Sequence, residues 1–203
     1  MNINKPDIER ASDIRNSVKS KYKTVASHPE GNFPYPIGKE SALNLGYDPS
    51  WLESVPDDVV AHFVGVGNPF SIHRPGRGDR VLDAGCGCGM DSFIASMLVG
   101  PEGRICGVDF TEEMLALPRS FLRKMDNKNL EFCKASIEAL PYEDNAFDVI
   151  ISNGVLNLVP DKQAAFSELA RVLKPGGVLS AADLVVMEEI PPEVLESKDA
   201  WST

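Results

Sequence analysis

Several features are scarce or missing in this 203-residue chain, and each shortfall excludes something. No stretch approaches about 18 consecutive apolar residues, so the sequence holds no candidate membrane-spanning helix. Bases are outnumbered: 20 Lys and Arg stand against 30 Asp and Glu, a net charge of −10. That balance opposes a general grip on nucleic-acid phosphates or on an anionic membrane surface. No GxxxxGK[ST] pattern occurs, which removes the phosphate-cradling nucleotide loop. Cysteines number four: Cys86, Cys88, Cys106 and Cys133. The opening MNINKPDIERASDIR lacks the apolar core of a secretory signal, so a cytoplasmic chain with reduced thiols is expected. Cys86 and Cys88 are one residue apart, too close for a zinc knuckle, with no second Cys/His pair nearby; no metal is expected.

What is present is ordinary for a globular domain: 43% hydrophobic and 25% charged residues. A chain this long buries roughly 70% of its unfolded surface and needs no disulfide to fold. Residues 1–75 differ from the rest, holding all 3 histidines (His28, His62, His73) and eight of the 15 prolines. Asp7 to Val25 reads as a helix with a weak apolar stripe of Ile8, Ile14, Val18, Tyr22 and Val25. The stretch around Pro29, Pro34 and Pro36 reads as irregular, because proline donates no amide. Short helices are expected at Lys39–Leu45, Pro49–Val55 and Pro56–Phe63.

From Asp79 onward, apolar strands alternate with helices. RVLDAG, RICGVDF, LEFCKAS, FDVIISN and GVLSAADLVV read as five strands. MDSFIASMLV, TEEMLALPRSFLRKM and DKQAAFSELARVL read as helices, with Thr111 as the second one's N-cap and KPGG closing the third. Strands that are apolar without alternation are covered on both faces. Right-handed crossovers then make an α/β fold, a doubly wound, Rossmann-like, mostly parallel sheet.

The chemistry concentrates in VLDAGCGCG (81–89). A strand ends at Asp83, and a turn rich in glycine (Gly85, Gly87, Gly89) leads into a helix. Such a turn brings backbone close to a ligand, and the helix start offers free amides. The pattern is GxGxG, with Met90 where the dinucleotide fingerprint has its last glycine. Asp83 would repel a diphosphate but pair with an ammonium group. These features favour a zwitterionic nucleoside over a dinucleotide. Asp109 ends the second strand, 24 residues beyond Gly85, where an acid accepts both ribose hydroxyls. It also stands where it could cap the helix that follows.

VLDAGCGCG, GVDFTEEML, IEALPYEDNAFDVIISN and RVLKPGG, in this order, resemble the successive motifs of class I S-adenosylmethionine-dependent methyltransferases over about Asp79–Val186. The resemblance implies S-adenosyl-L-methionine as cofactor and a methyl transfer to a small-molecule acceptor. It implies that Asp83 and the turn of Gly85, Cys86, Gly87 and Gly89 hold the methionine part. Asp109 would bind the ribose and Phe110 would pack on the adenine, with Met114 beside it. Ser136 and Ile137 would flank the adenine, and Asn153 with Gly154 would line the mouth. Many relatives carry an acid at the Ser136 position, and a hydroxyl bonds the adenine amino group more weakly.

GVGNP (65–69), IEALP (137–141) and ISNGVLNLVPDK (151–162) resemble, more narrowly, the arsenite methyltransferase branch. That branch holds arsenic with cysteine thiolates, soft ligands for a soft metalloid. Its two matching cysteine positions here are Val66 and Gly154, and no cysteine precedes Val66. An acceptor other than arsenite is therefore expected, with arsenite methylation and a cofactor-binding module without turnover as alternatives. A general base depends on the acceptor; His28, His62, His73 and Tyr22 are candidates that the sequence does not separate. Residues 1–75 are expected to form a helical lid segment, with 29–36 closing over the cofactor. Residues 76–190 would form the donor-binding domain and 191–203 the start of a further region. The resemblance implies two more strands after the fifth, where Pro191 and Pro192 oppose any strand. A sheet truncated after strand five, with an uncovered edge, points to a possible homodimer.

Overall fold

The computed structural model describes residues 5–125, 128–185 and 187, with side chains from residue 10 onward. The N-terminal part is helical: α1 (Lys5–Val25), α2 (Gly38–Asn44), α3 (Pro49–Leu52) and α4 (Asp57–Ala61). Beyond it, strands and helices alternate. They are β1 (Arg80–Ala84), α5 (Met90–Val99), β2 (Arg104–Asp109), α6 (Glu112–Leu122), β3 (Leu130–Lys134), β4 (Phe147–Asn153), α7 (Lys162–Val172) and β5 (Leu173–Ala182). The sheet order is β3-β2-β1-β4-β5, and every pairing is parallel.

β1 is central, with Asp83 opposite Gly107 on one side and Ile151 on the other. Successive residues of a strand face opposite ways. Val81, Ile105, Val149 and Ile151 thus pack with Phe93 and Ile94 of α5 and with Val59, Phe63 and Phe70 of the N-terminal part. Leu82, Val108, Phe147 and Ile150 pack on the other face with Leu169 and Val172 of α7. Burying a side chain such as Leu82 contributes about 1.5–3 kcal/mol. Two covered faces explain the unbroken apolar runs.

Two local expectations are refined. Thr111 occupies the N-cap of α6, but its side chain makes no capping bond; Asp109 Oδ1 accepts from the Thr111 amide at 2.8 Å instead. KPGG does not separate α7 from β5. The strand starts at Leu173, directly after the helix, and from the Phe147–Leu173 pair the register moves two residues along β4 and five along β5, to Val149–Val178. That wide bulge absorbs Pro175 and Gly176, the latter at φ 83°. Ile14, Val18 and Val25 of α1 are buried, and α1 packs on α6. In the 29–36 stretch, Phe33 lies between Tyr22 at 6.4 Å and Tyr35 at 5.2 Å and packs against the cluster of Val25, Cys88 and Met114. Residues 188–203, including Pro191 and Pro192, lie outside the described residues.

Candidate functional site

The carboxyl ends of the parallel strands open into a cavity of about 440 Å³. In an open α/β sheet this is where ligands bind. Asp83, Gly85, Cys86, Gly87, Gly89, Asp109, Phe110, Met114, Ser136, Ile137, Asn153 and Gly154 all line it. The fold thus gathers the twelve residues marked in the sequence around one space. Valines, aromatics and the loop Leu158–Val159–Pro160 supply most of the remaining wall.

The glycine turn is required by its own geometry. Gly85, Gly87 and Gly89 have φ of 79°, 53° and 87°, a region side-chain-bearing residues rarely adopt. A Cβ at Gly85 would come within 2.4 Å of Val155, and one at Gly89 within 2.7 Å of the Phe132 ring. The amides of Gly85 and Cys86 both donate to the Val108 carbonyl at 2.9 Å, which ties the turn to the end of β2. Asp109 braces it from the same side: Oδ2 accepts from the Gly87 amide at 3.1 Å and Oδ1 from Thr111. Each oxygen retains a lone pair, as a diol ligand needs.

Three carboxylates share this end of the cavity. Asp83 is buried and accepts from Ser92 Oγ at 2.5 Å. Burial first, and then the charge of Asp91, push it well above the usual carboxylate range. Burial likewise pushes Asp91 and Asp109 up to about 6, against the hydrogen bonds that favour their ionised forms. Asp91, which sequence reasoning missed, sits in the first turn of α5. There it accepts from Tyr47 Oη at 2.7 Å and from Asn153 Nδ2 at 3.1 Å. Asn153 Oδ1 in turn accepts from the amides of Val66 and Gly67 at 2.9 and 3.1 Å, fixing the GVGNP segment at the mouth.

The opposite wall comes from α1 and the 136–139 turn. Glu138, also missed, receives Arg15 Nε at 3.0 Å and a second guanidinium nitrogen at 2.8 Å. It further accepts from the Asp161 amide at 3.2 Å. The Ser136 hydroxyl donates to Glu138 Oε2 at 3.2 Å. Of the candidate bases, His62 and Tyr22 line the cavity; His28 and His73 do not. His62 Nδ1 lies 2.7 Å from the Asp58 carbonyl. Burial raises Tyr22 well above the ordinary phenol value. Among the described residues, no three His, Cys, Asp or Glu side chains cluster to hold a metal. No described helix is long and apolar enough to cross a membrane.

Residues 75–203 match the family model described as methyltransferase domain. The chain belongs to that family. Over 156 residues it is 40% identical to an arsenite methyltransferase of Halobacterium salinarum, covering 77% of this chain and 40% of that protein. It is 38% identical over 110 residues to a demethylmenaquinone methyltransferase of Listeria welshimeri, covering 54% of this chain and 47% of that one. A solved arsenic(III) S-adenosylmethionine methyltransferase of Chlamydomonas reinhardtii superposes with a TM-score of 0.66 at 39% identity, over 71% of this chain and 51% of that one. The chain therefore spans less than half the length of these curated relatives. Its five-stranded parallel sheet is that of the class I methyltransferases, and the cofactor of this family is S-adenosylmethionine. The cavity suits that molecule. Its glycine turn closes on one side and its walls are largely apolar. Its acids outnumber its bases, with Arg15 already taken by Glu138, as the donor's sulfonium and ammonium charges require.

Val66 and Gly154, expected to match cysteine positions of the arsenite branch, are neighbours. A Cβ at Gly154 would lie 3.4 Å from Val66 Cγ1. Val66 and Gly154 offer no sulfur there.

Proposed function

We propose that this chain binds S-adenosylmethionine in the cavity and transfers its methyl group to a small-molecule acceptor that is not held through arsenic–thiolate bonds. The observation that carries the reading is the convergence of Asp83, Asp109 and the glycine turn on a single cavity. The twelve lining residues keep the roles expected of them: Asp109 on the ribose, Phe110, Met114, Ser136 and Ile137 about the adenine, Asn153 and Gly154 at the mouth. The donor supplies an activated methyl on a sulfonium, so the protein's part is alignment and exclusion of water. Apolar walls exclude water; Asn153, through Val66 and Gly67, holds the mouth in shape. Residues 1–75 serve as the lid segment over a donor domain of residues 76–190.

Titration with S-adenosylmethionine and S-adenosylhomocysteine tests this, and Asp109→Ala should abolish measurable affinity for both. Incubation with candidate acceptors, followed by release of S-adenosylhomocysteine, separates an enzyme from a binding module. Arsenite remains a second reading because relatives of that name align over most of this chain. The missing thiols at Val66 and Gly154 weigh against it. The same proposal places the chain in the cytoplasm, on an acceptor other than nucleic acid given the charge of −10. It carries a homodimer through β5, one of the two edge strands of the sheet among the described residues; light scattering across a concentration series tests that.

A further inference from the structure

His62 is set apart from the other titratable groups of the cavity by its tautomer. Its Nδ1 lies 2.7 Å from the Asp58 carbonyl oxygen. A carbonyl oxygen only accepts, so Nδ1 carries the hydrogen and Nε2 keeps the lone pair of the neutral ring. The side chain is partly buried and lines the cavity, on a segment that holds none of the twelve donor-site residues. Four residues on, the Val66 amide is fixed to Asn153 Oδ1 at the mouth. The groups on the facing walls are otherwise committed. Burial keeps the Tyr22 phenol and the thiols of Cys86 and Cys88 protonated. Asp91 and Asp109 each accept two hydrogen bonds, and Asp83 accepts from Ser92. Arg15 and Glu138 hold one another. On its own helix α4, the charged neighbours of His62 are Asp57 and Asp58.

The same walls limit what can reach Nε2. Val59, Phe63 and Val64 come from the segment that carries His62, and Leu158 and Val159 line the cavity as well. An anionic acceptor would meet Asp83, Asp91, Asp109 and Glu138, while Arg15, the one Lys or Arg among the described lining residues, is taken. An ammonium acceptor would shed its hydration against valines and then have to lose a proton before its nitrogen could attack. A volume of about 440 Å³ lies toward the low end of the roughly 300–1,000 Å³ that pockets offer a single ligand, so beside the donor only a small acceptor fits. Such an acceptor arrives uncharged, with the proton still on its nucleophile. A thiol, near 8.5, gives that proton up more readily than a phenol, near about 10.

We infer that His62 Nε2 is the general base of the methyl transfer and that the acceptor is a small, uncharged, apolar thiol. This rests on the reading of the cavity as a methyl-donor site and adds to it a base and an acceptor class. Nε2 takes the proton of the S–H bond, and the electron pair of that bond stays on the acceptor sulfur. A sulfur lone pair forms the new S–C bond to the methyl group. The methyl–sulfonium bond breaks, and its pair goes to the donor sulfur. The products are a methyl thioether, neutral S-adenosylhomocysteine and a His62 imidazolium that returns its proton to water.

Two measurements test it. Nitrogen NMR of the histidine side chains, with the His62 signal identified by its loss in His62→Asn, should show the neutral ring protonated at Nδ1 and bare at Nε2. A proton on Nε2 instead overturns the inference without any ligand being added. The second measurement offers three thiols to the chain saturated with S-adenosylmethionine: neutral propanethiol, cationic cysteamine and anionic mercaptopropionate. Propanethiol should release S-adenosylhomocysteine with a kcat/KM at least about tenfold above either charged thiol. His62→Asn keeps an amide donor for the Asp58 carbonyl and removes the base. It should lower kcat roughly a hundredfold at neutral pH, leave the propanethiol KM within about threefold, and recover as the pH rises and the thiol ionises by itself. Calorimetry should find its S-adenosylhomocysteine affinity within about twofold of wild type. Equal turnover of the charged thiols, no turnover of propanethiol, or an unchanged kcat in the variant overturns the inference. So does a variant that loses S-adenosylhomocysteine binding together with turnover, which would mark His62 as a framework residue. In each of these cases wild-type S-adenosylhomocysteine binding keeps the donor site standing. Failure of the wild-type chain to bind S-adenosylhomocysteine would instead overturn the donor-site reading, and this inference with it.

Discussion

Arg15 and Glu138 are 123 residues apart in sequence and joined by two hydrogen bonds, 3.0 and 2.8 Å, across the rim of the cavity. The arginine is half exposed and the glutamate partly buried. With Lys23–Glu113 at 3.2 Å, the pair fastens α1 over the site. An ion pair this exposed contributes about 0.2–1 kcal/mol. Arg15→Ala should then weaken S-adenosylhomocysteine by roughly two- to fivefold, and raising the salt should narrow the gap between variant and wild type. Glu138→Ala should cost more, since it also strips a partner from the Asp161 amide and the Ser136 hydroxyl. Calorimetry at low and high salt reads both. An Arg15→Ala chain with wild-type affinity at low salt would remove α1 from the binding site.

Protonation should set the affinity. Burial pushes Asp91 and Asp109 up to about 6, from 3.8 ordinarily. A carboxylate with a raised folded-state value holds its proton better folded than unfolded. Each therefore costs nothing below about pH 4, progressively more between about 4 and 6, and its full penalty above, of the order of 2–3 kcal/mol apiece. Glu168 runs the other way, held near 2 by Arg171, but its stabilisation fades only below the unfolded value of 4.5. Between about pH 5 and 7 the raised pair dominates. The free chain should melt at a higher temperature at pH 5 than at pH 7. A cationic ligand prefers the ionised acids, so nucleoside affinity should rise over that same interval. A flat affinity from pH 5 to 7 would mean that these acids do not face the ligand's charge.

Glycine positions offer an internal control. Gly85→Ala combines a positive φ with a Cβ 2.4 Å from Val155, inside the cavity wall. Gly46→Ala has a positive φ of 80° and open space around it. Backbone strain alone costs about 1 kcal/mol, and overpacking adds about 1–3 kcal/mol. Urea denaturation should place Gly46→Ala close to wild type and Gly85→Ala well below it, with nucleoside binding lost only in the second. Equal midpoints would show that Val155 moves aside at little cost.

Much of this was legible before any coordinates, and for one reason. β1, β2 and β4 are apolar without alternation because helices cover both faces, and a strand–glycine–helix junction has few geometries. Asp83 and Asp109 could be placed at the cavity because position on a strand fixes where each lies. Asp91 could not. In a sequence, an acid in the first turn of a helix reads as a complement to the helix dipole. Its meaning here comes from Tyr47, 44 residues away, and Asn153, 62 residues away. Glu138 hides similarly, since Arg15 lies in a helix whose polar surface gives no hint of a target. The bulge at Lys174–Gly177 follows from register, which a local reading of KPGG does not contain.

Val66 and Gly154 allow the acceptor question to be posed directly. The two positions touch, with a Cβ at 154 falling 3.4 Å from Val66 Cγ1. Sulfur on both would stand close enough to share one trivalent arsenic, a metalloid that binds soft thiolates. Gly154 has φ 69°, so a side chain there costs about 1 kcal/mol of backbone strain, which the fold should tolerate. The chain carrying Val66→Cys and Gly154→Cys together should bind arsenite more tightly than the wild type by calorimetry, while either single variant should gain little. Cys86 and Cys88 line the cavity in every one of these chains. Burial holds both thiols protonated, Cys88 up to about 12, and they form a common background in the comparison. If the wild-type chain binds arsenite as tightly as the double variant and releases S-adenosylhomocysteine when arsenite is supplied, then thiols at the mouth are unnecessary. The proposal of an acceptor other than arsenite then falls, while the donor site built on Asp83, Asp109 and the glycine turn stands.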